Sequence, residues 1–404
     1  MKERKFDIKK FTSWTILLFV PLSTYPIFMN SVTLGDLLLI FNLIFVILSL
    51  FREKNRSSFP TPMLLYITML LVMTLFHWLL GIGSISEEIF SILRYLLYLS
   101  YCLIVSKRFI DFNYTYNSYK KLSVILAIYV FLQFVSFYLF RHILPINILS
   151  IFGLKTFESV YWYDNITRYA GNLILYRPCS VFVEPAHYAV YQAPILYLLM
   201  NNIVDDNKNN IKFSLIILIS ILLSGSTTGI VIIIFSFLKR IGNMFKKSLV
   251  KTLILAILII VVGYAFINSD YGARIIDRTF SEESNGAING RFSEQNIVFS
   301  ENNSHLIIGN GMSYEEDIYL PSYQRLFLSF GVIGFVIFVI SMLFIFGGTN
   351  VIGKKLLILY LLTMFGTMSL FGTTLLLFLP LILTNYRNTK NIGEVIWKRK
   401  CYLS

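Results

Sequence analysis

Two charged residues, Arg177 and Glu184, bracket a short apolar stretch near the middle of the chain, and Pro185 follows directly. A guanidinium grips phosphate through a planar fork of donors, and a carboxylate can take a proton from a hydroxyl group. Proline is favoured in the first turn of a helix, where a carboxylate meets the positive end of the helix dipole. Glu184 is therefore either a helix cap or a general base held at the start of a helix.

His187 lies three residues after Glu184, which places both side chains on one face of the predicted helix. We interpret His187 as either the base itself or a partner that orients Glu184. Among the other histidines, His305 lies in a predicted loop, where a solvated histidine and a functional one are equally good interpretations. His77 and His142 are predicted to be membrane-interface residues.

The positive residues are divided unevenly between the two predicted sides of the chain. Eight of the nine on the predicted outer side are arginine, whereas 19 of the 26 on the inner side are lysine. The preference of positive residues for the inner side counts both types alike, so it does not explain this split. Because arginine binds phosphate bidentately and lysine acts as a point charge, the bias predicts a phosphate-bearing ligand on the outer side.

Ion pairing is the alternative role for some of these arginines. For Arg278, which lies beside Asp277 and four residues after Arg274, pairing with carboxylates is as good an interpretation as phosphate binding. Arg94 differs, because it lies about a turn and a half inside an apolar run, where a charge is costly and usually functional.

The pattern Arg-Pro-x-Ser-x-Phe-x-Glu-Pro-x-His at residues 177–187 resembles the O-antigen and capsular polysaccharide polymerases of the Wzy type, within the O-antigen ligase and polymerase superfamily. The Ser-Gly-Ser-Thr-Thr-Gly stretch at 224–229 is similar to that family's break between two helices. Residues 290–292, 308–311 and 331–334 are similar to its second long loop and the helix that follows.

The resemblance implies a membrane glycosyltransferase. The enzyme would transfer a growing glycan from undecaprenyl diphosphate to the non-reducing-end hydroxyl of a lipid-linked repeat unit on the outer face of the membrane. Glu184 is the first choice for the base, with His187 as the other catalytic candidate. The candidates for diphosphate binding are Arg177, Arg291, Arg168, Arg278 and Arg94.

The expected partners are the undecaprenyl-diphosphate-linked oligosaccharide, the lipid bilayer and, from the family alone, a chain-length regulator. We expect no nucleic acid partner. No CxxC pair, HExxH stretch or Walker-type glycine loop is present in the sequence, so we expect neither a metal nor another cofactor. Tyr161, Trp162 and Tyr163 either stack on sugar faces or belong to an aromatic belt at the lipid interface.

Other activities compete with polymerisation. Ligase members of the superfamily tend to carry His-Asn about ten residues before the Gly-x-x-Gly turn, where this chain has Leu320 and Pro321, so the polymerase is favoured over a ligase. A lipid-linked oligosaccharide flippase, which is a transporter, is a second alternative. A flippase is expected to have two similar halves with short loops, whereas this chain has no internal repeat. Nothing in these residues singles out a cell-wall polymerase of the rod-shape type.

The candidate residues must be positioned by apolar helices, because 56% of the 404 residues are hydrophobic and only 14% are charged. An ordinary globular domain carries about 25% charged residues, and a soluble fold could not bury this much apolar surface. Twelve apolar runs are candidate spans: 14–29, 32–51, 62–80, 89–106, 122–140, 186–200, 213–224, 228–238, 252–267, 326–346, 356–371 and 373–386.

These runs predict an all-α, polytopic integral membrane protein with about 12 transmembrane helices. The charge distribution places both termini in the cytoplasm and favours two helices over one long helix across residues 213–238. Residues 1–404 would form a single transmembrane domain with two long outer loops at about 141–183 and 268–323. The predicted location is a bacterial inner (cytoplasmic) membrane, crossed many times.

The N-terminal segment is basic and then apolar, like a signal peptide, but no small-residue cleavage site follows it. We therefore interpret it as a retained first helix. The three cysteines, Cys102, Cys179 and Cys401, are predicted to lie in a span, an outer loop and the inner tail. No two share a compartment outside the membrane in this topology, so we expect no structural disulfide.

Overall fold

Most of the described part of the protein is helical. The computed structural model describes residues 7–28, 32–52, 61–82, 85–105, 108–146, 148–149, 167–170, 173–204, 209–247, 264, 268, 272–273, 306–312, 320–367 and 372–385. Within these ranges the helices are α1 (Ile8–Leu22), α2 (Leu34–Arg52), α3 (Thr61–Leu79), α4 (Ile85–Val105), α5 (Phe112–Phe140), α6 (Pro185–Met200), α7 (Asn209–Leu223), α8 (Thr227–Lys247), α9 (Ser322–Gly348), α10 (Val351–Thr363) and α11 (Leu375–Leu383). The strands are β1 (Pro26–Phe28), β2 (Val32–Thr33), β3 (Thr167–Ala170) and β4 (Leu173–Tyr176).

Eleven of the twelve predicted apolar runs overlap a helix, although the run at 14–29 also contains β1, and the run at 252–267 lies outside the described residues except for Tyr264. Helices α2, α3, α4, α5 and α9 are long and apolar enough to cross a membrane. Helix α7 and the first part of α8 are apolar but shorter. The fold is therefore that of a mainly helical protein compatible with a membrane, while the number of crossings and the side of each terminus stay predictions.

The solvent-exposed faces of these helices carry many large apolar side chains. On α2, the side chains of Phe41, Ile44 and Leu48 are each more than half exposed and follow one another at helical spacing. Soluble monomers rarely expose such continuous apolar faces, so contact with lipid is the natural environment of this helix.

Helices α1 and α5 begin well before the apolar runs at 14–29 and 122–140 that predict them. Helix α1 starts at Ile8 because the Asp7 carboxylate accepts hydrogen bonds from the backbone N–H groups of Lys9 and Lys10, at 3.1 and 3.3 Å. Helix α5 starts at Phe112, and its Lys120 ammonium lies over the Tyr116 ring. Lysine is a good helix former, so its charge ends the apolar run without ending the helix.

The chain divides into two compact units, of which the first contains residues 1–23, 31–115 and 298–404. In this unit α1 packs against α2 and α11, α3 packs against α4 and α9, and α10 packs against α11. Polar side chains also join its helices. The Asn42 carboxamide oxygen accepts a hydrogen bond from the Tyr101 hydroxyl at 2.7 Å, and its amide donates to the Thr12 hydroxyl at 3.2 Å.

Helix α9 is interrupted at Gly331, whose φ of 63° lies outside the helical region. The interruption leaves backbone groups that segment 306–311 satisfies. The amides of Asn310 and Gly311 donate to the carbonyls of Leu328 and Ser329, and those of Val332 and Ile333 donate to the carbonyls of Leu306 and Ile307, at 2.7 to 3.2 Å. The two glycine motifs at 308–311 and 331–334 therefore form one backbone contact.

The second unit contains residues 24–30 and 116–297, and its centre is α6. Every α6 residue from Tyr188 to Met200 is buried, and both α7 and α8 pack against this helix. The close approach of α8 uses Gly229, where a Cβ atom would lie 3.2 Å from the Ala189 Cβ.

The predicted break between α7 and α8 is confirmed. Helix α7 ends at Leu223, Gly225 turns the chain with a φ of 58°, and α8 begins at Thr227. The Ser226 hydroxyl accepts a hydrogen bond from the Gly229 amide at 3.2 Å, so it caps the new helix. The interpretation of this region as one long helix is therefore wrong.

Candidate functional site

Arg177 opens an eight-residue loop that joins β4 to α6. Strand β4 pairs in antiparallel fashion with β3, which sets Arg168 opposite Leu175. The strand ends at Tyr176, whose ring is buried and stacks on Phe137 with a centroid separation of 4.6 Å. Arg177 therefore follows directly from an anchored residue, and it is only 5% exposed.

The charged residues at the two ends of the loop both act on the pKa of Cys179. Burial raises the pKa of the Cys179 thiol, the Arg177 guanidinium lowers it, and the Glu184 carboxylate raises it further. Both charges are therefore within electrostatic range of one sulfur atom. The thiol donates a hydrogen bond to the Phe182 carbonyl at 2.9 Å, and the Phe182 amide donates to the Cys179 carbonyl at 3.1 Å.

Ser180, in the middle of the loop, has a φ of 57°, which a residue other than glycine rarely adopts. The Gln133 side chain of α5 holds this conformation by two hydrogen bonds. Its carboxamide oxygen accepts from the Ser180 amide at 2.8 Å, and its amide donates to the Ser180 carbonyl at 2.9 Å. The Ser180 hydroxyl donates to the Leu126 carbonyl at 3.1 Å. The loop is therefore fastened to α5 through both backbone groups and the hydroxyl of one residue.

Gln133 was not among the predicted site residues. The only sequence signal for it is an amide side chain inside an apolar run, a position where polar residues are rare and often functional. The side chain is fully buried.

Glu184 occupies the N-cap position of α6, with extended backbone angles, and Pro185 follows in the first turn. The Tyr188 amide donates to the Glu184 carbonyl at 3.2 Å, but the Glu184 carboxylate makes no capping hydrogen bond. Glu184 therefore starts the helix, but its side chain does not serve as the cap. Glu184 and His187 are both half-buried within the first turn of the helix.

Side chains on α5 and α7 hold α6 in place. The Tyr188 hydroxyl lies 2.5 Å from the Ser220 hydroxyl of α7. The Tyr119 hydroxyl of α5 donates to the Tyr191 carbonyl. Glu184 and His187 therefore begin a helix that cannot rotate without breaking buried hydrogen bonds.

Arg94 belongs to the first unit and has an acidic neighbour there. One nitrogen of its guanidinium lies 3.7 Å from an Asp36 carboxylate oxygen, and the Arg94 side chain is 41% exposed. Buried Asp36 also accepts hydrogen bonds from the Tyr98 hydroxyl at 2.6 Å and from the Thr33 amide and hydroxyl, both at 2.9 Å. Arg94 thus has a structural partner that the sequence pattern did not predict.

A second polar group in the first unit involves residues that were not predicted as a site. His77 is buried, and its Nε2 donates to the Ile308 carbonyl at 2.7 Å, while its position at the membrane interface stays a prediction. Buried Glu88 accepts a hydrogen bond from the Trp78 indole at 2.8 Å, and its carboxylate lies against Gly311. These residues hold the segment that packs on the interruption of α9.

Arg177 and Glu184 lie at the two ends of one loop and both act on the pKa of Cys179, while Arg94 lies in the other unit with Asp36. Arg278, Arg291, His305 and residues 161–163 lie outside the described residues. Their predicted roles stay predictions. His142, by contrast, is described and exposed.

No family model matches this chain, and no curated protein matches it either. The chemistry of the site must therefore be argued from its own residues.

Proposed function

We propose that the protein is a membrane polysaccharide polymerase that extends a glycan carried on undecaprenyl diphosphate. The observation that carries the proposal is the loop that begins at buried Arg177 and ends at Glu184, the N-cap residue of α6, with both charges acting on Cys179 between them in sequence. A cation for a leaving diphosphate and a base for an attacking hydroxyl are the two groups that this transfer needs.

In the proposed reaction, a hydroxyl of the lipid-linked repeat unit attacks C1 of the reducing-end sugar of the growing chain. The new glycosidic C–O bond forms as the bond between C1 and the diphosphate oxygen breaks. The electron pair leaves with undecaprenyl diphosphate, and the hydroxyl proton passes to the Glu184 carboxylate. His187, in the first turn of α6, either orients Glu184 or takes the proton in its place.

Arg177 is suited to the leaving group because the residue is only 5% exposed. In surroundings of low dielectric constant, attraction between a guanidinium and the developing charge is stronger than in water. The other candidates for diphosphate binding are proposed to hold the diphosphates of the two lipid carriers. They are Arg94, Arg168, Arg278 and Arg291.

The finer topology belongs to the same proposal. The chain would cross a bacterial cytoplasmic membrane about twelve times, with both termini inside and residues 141–183 and 268–323 outside. The apolar runs and the excess of arginine over lysine among the predicted outer cations support this arrangement.

The test is the surface glycan of a gene-deletion strain, separated on a gel beside strains carrying the intact gene, Arg177→Ala or Arg141→Ala. We expect the deletion and Arg177→Ala to lose the ladder and keep a single-unit band. Arg141 is an exposed residue outside the site, and its variant should keep the ladder. Loss of every band, with lipid-linked units accumulating, would point instead to a transporter or ligase. Normal chains in Arg177→Ala, at normal protein level, would contradict the site assignment.

A further inference from the structure

We propose that Gln133 is a positioning residue, which sets the distance between Arg177 and Glu184 by clamping Ser180 of the loop between them. This inference rests on the proposed function, in which both charged residues act on the same substrate. Gln133 itself is assigned no contact with that substrate.

The clamp is specific because it uses both ends of one carboxamide. The Gln133 oxygen accepts from the Ser180 amide at 2.8 Å, and its nitrogen donates to the Ser180 carbonyl at 2.9 Å. The side chain thereby satisfies both backbone groups of a single loop residue, as a paired strand would. The glutamine carboxamide provides a donor and an acceptor side by side, and asparagine, which carries the same group, has a shorter side chain.

The clamp matters because Ser180 holds a conformation that serine rarely adopts, with a φ of 57°. Ser180 lies three residues after Arg177 and four before Glu184. A change of its backbone angles would therefore redirect both arms of the loop, and a displacement of about 1 Å in a catalytic group is enough to reduce a reaction rate strongly.

The loop contains its own reporter. Cys179 precedes Ser180 and is fully buried, as is Cys102 of the first unit. If the clamp opens, Cys179 should become accessible to an alkylating reagent while Cys102 stays protected. The ratio of the two labelling rates therefore separates local opening of the loop from general unfolding.

The test uses Gln133→Met in the full-length protein, since methionine keeps the length of the side chain without its hydrogen bonds. The matched control is Gln192→Met. Gln192 is also a fully buried glutamine of the second unit, but its amide donates to the Ser123 carbonyl at 3.2 Å, away from the loop. Both variants are treated with N-ethylmaleimide, and each cysteine peptide is quantified by mass spectrometry.

We expect Gln133→Met to label Cys179 about ten- to hundredfold faster than wild type, because two buried backbone groups lose their partners. Cys102 should not change, and Gln192→Met should leave the ratio of the two rates unaltered. The polymer should be shortened or lost in Gln133→Met and retained in Gln192→Met. If Gln133→Met does not accumulate, Gln133→Glu, which keeps the acceptor and loses the donor, is measured by the same criteria.

Protection of Cys179 in the Gln133 variant, or a normal polymer despite its labelling, would overturn the inference. If Arg177→Ala still abolishes the polymer in that case, the proposed function stands and only the role of Gln133 is wrong. If Arg177→Ala also makes normal polymer, the proposed function itself fails.

Discussion

Arg177 is a charged residue in a buried loop, and burying a charge is costly unless neighbouring groups compensate for it. Glu184 lies at the other end of this loop and occupies the N-cap position of α6, at the positive end of the helix dipole. This arrangement explains why the loop is held from several directions. A site built around a buried charge has to keep its geometry if it is to stabilise a charge that develops during a reaction.

At Arg177 we predict that the shape of the guanidinium matters in addition to its charge. Arg177→Lys should reduce polymer formation by about a hundredfold or more, because the planar fork of donors is lost. The measurement is the amount of long-chain glycan at matched protein level. Arg141→Lys is the control, since Arg141 is exposed and lies outside the site. Full activity of Arg177→Lys would mean that only a positive charge is needed.

The pair of Asp36 and Arg94 allows a structural role to be separated from a functional one. Asp36→Ala should lower the melting temperature in detergent more than Arg94→Ala does. The aspartate loses hydrogen bonds from Thr33 and Tyr98, whereas the Arg94 side chain is 41% exposed and its ion pair is screened.

If Arg94 binds a substrate diphosphate as proposed, Arg94→Ala should reduce polymer formation while remaining close to wild type in stability. A large loss of stability in Arg94→Ala with unchanged polymer would instead make this arginine a purely structural partner of Asp36.

The interruption of α9 and the segment packed on it leave no room for a side chain at two glycines. A Cβ atom at Gly331 would lie 2.3 Å from the Ile307 carbonyl oxygen, and one at Gly309 would lie 2.4 Å from the Ser329 carbonyl oxygen. Both residues also have positive φ angles, of 63° and 86°. The interruption of the helix and the segment packed on it are therefore possible only with glycine at both positions.

We predict that Gly309→Ala and Gly331→Ala each destabilise the protein by about 2 kcal/mol or more, because the backbone has to move to relieve the clash. The matched control is Gly347→Ala in the same helix, where an added Cβ would meet nothing within 4 Å. That variant should be neutral or slightly stabilising, by up to about 1 kcal/mol. Thermal unfolding in detergent measures all three, and equal stability of the Gly331 and Gly347 variants would contradict the described kink.

The sequence predicts the elements better than their junctions. Apolar periodicity identifies the helices, and the Ser-Gly-Ser stretch before Thr227 predicts the break between α7 and α8. It does not predict that residues 308–311 and 331–334 contact each other, because that contact depends on the backbone angle of Gly331.

The partners of single buried polar residues could not be predicted from the sequence either. Gln133 and Glu88 are fixed by partners that are distant along the chain, and one amide or carboxylate beside an apolar run has no periodic signal. For the site, the pattern from Arg177 to His187 predicts the charged residues and the start of α6. The clamp on Ser180 depends on the fold and could not be predicted from spacing.

For the whole molecule, topology is the property that charge predicts and that chemical labelling can test. In a cysteine-free background, Arg141→Cys should react with a membrane-impermeant maleimide added to intact cells. Asn243→Cys, placed in the basic segment of α8, should react only after the membrane is opened. Labelling of Asn243→Cys in intact cells would reverse the predicted orientation of α8 and contradict the assignment of the inner side.

The proposed polymerase activity is tested by the reaction itself. The purified full-length protein, reconstituted in liposomes, is given undecaprenyl-diphosphate-linked repeat units, and free undecaprenyl diphosphate is measured together with the length of the glycan. We predict that the wild-type protein releases one carrier for each bond formed and produces a ladder, and that Arg177→Ala does neither. Absence of carrier release from the wild-type protein would contradict the polymerase activity, and equal release from Arg177→Ala would contradict the role of Arg177.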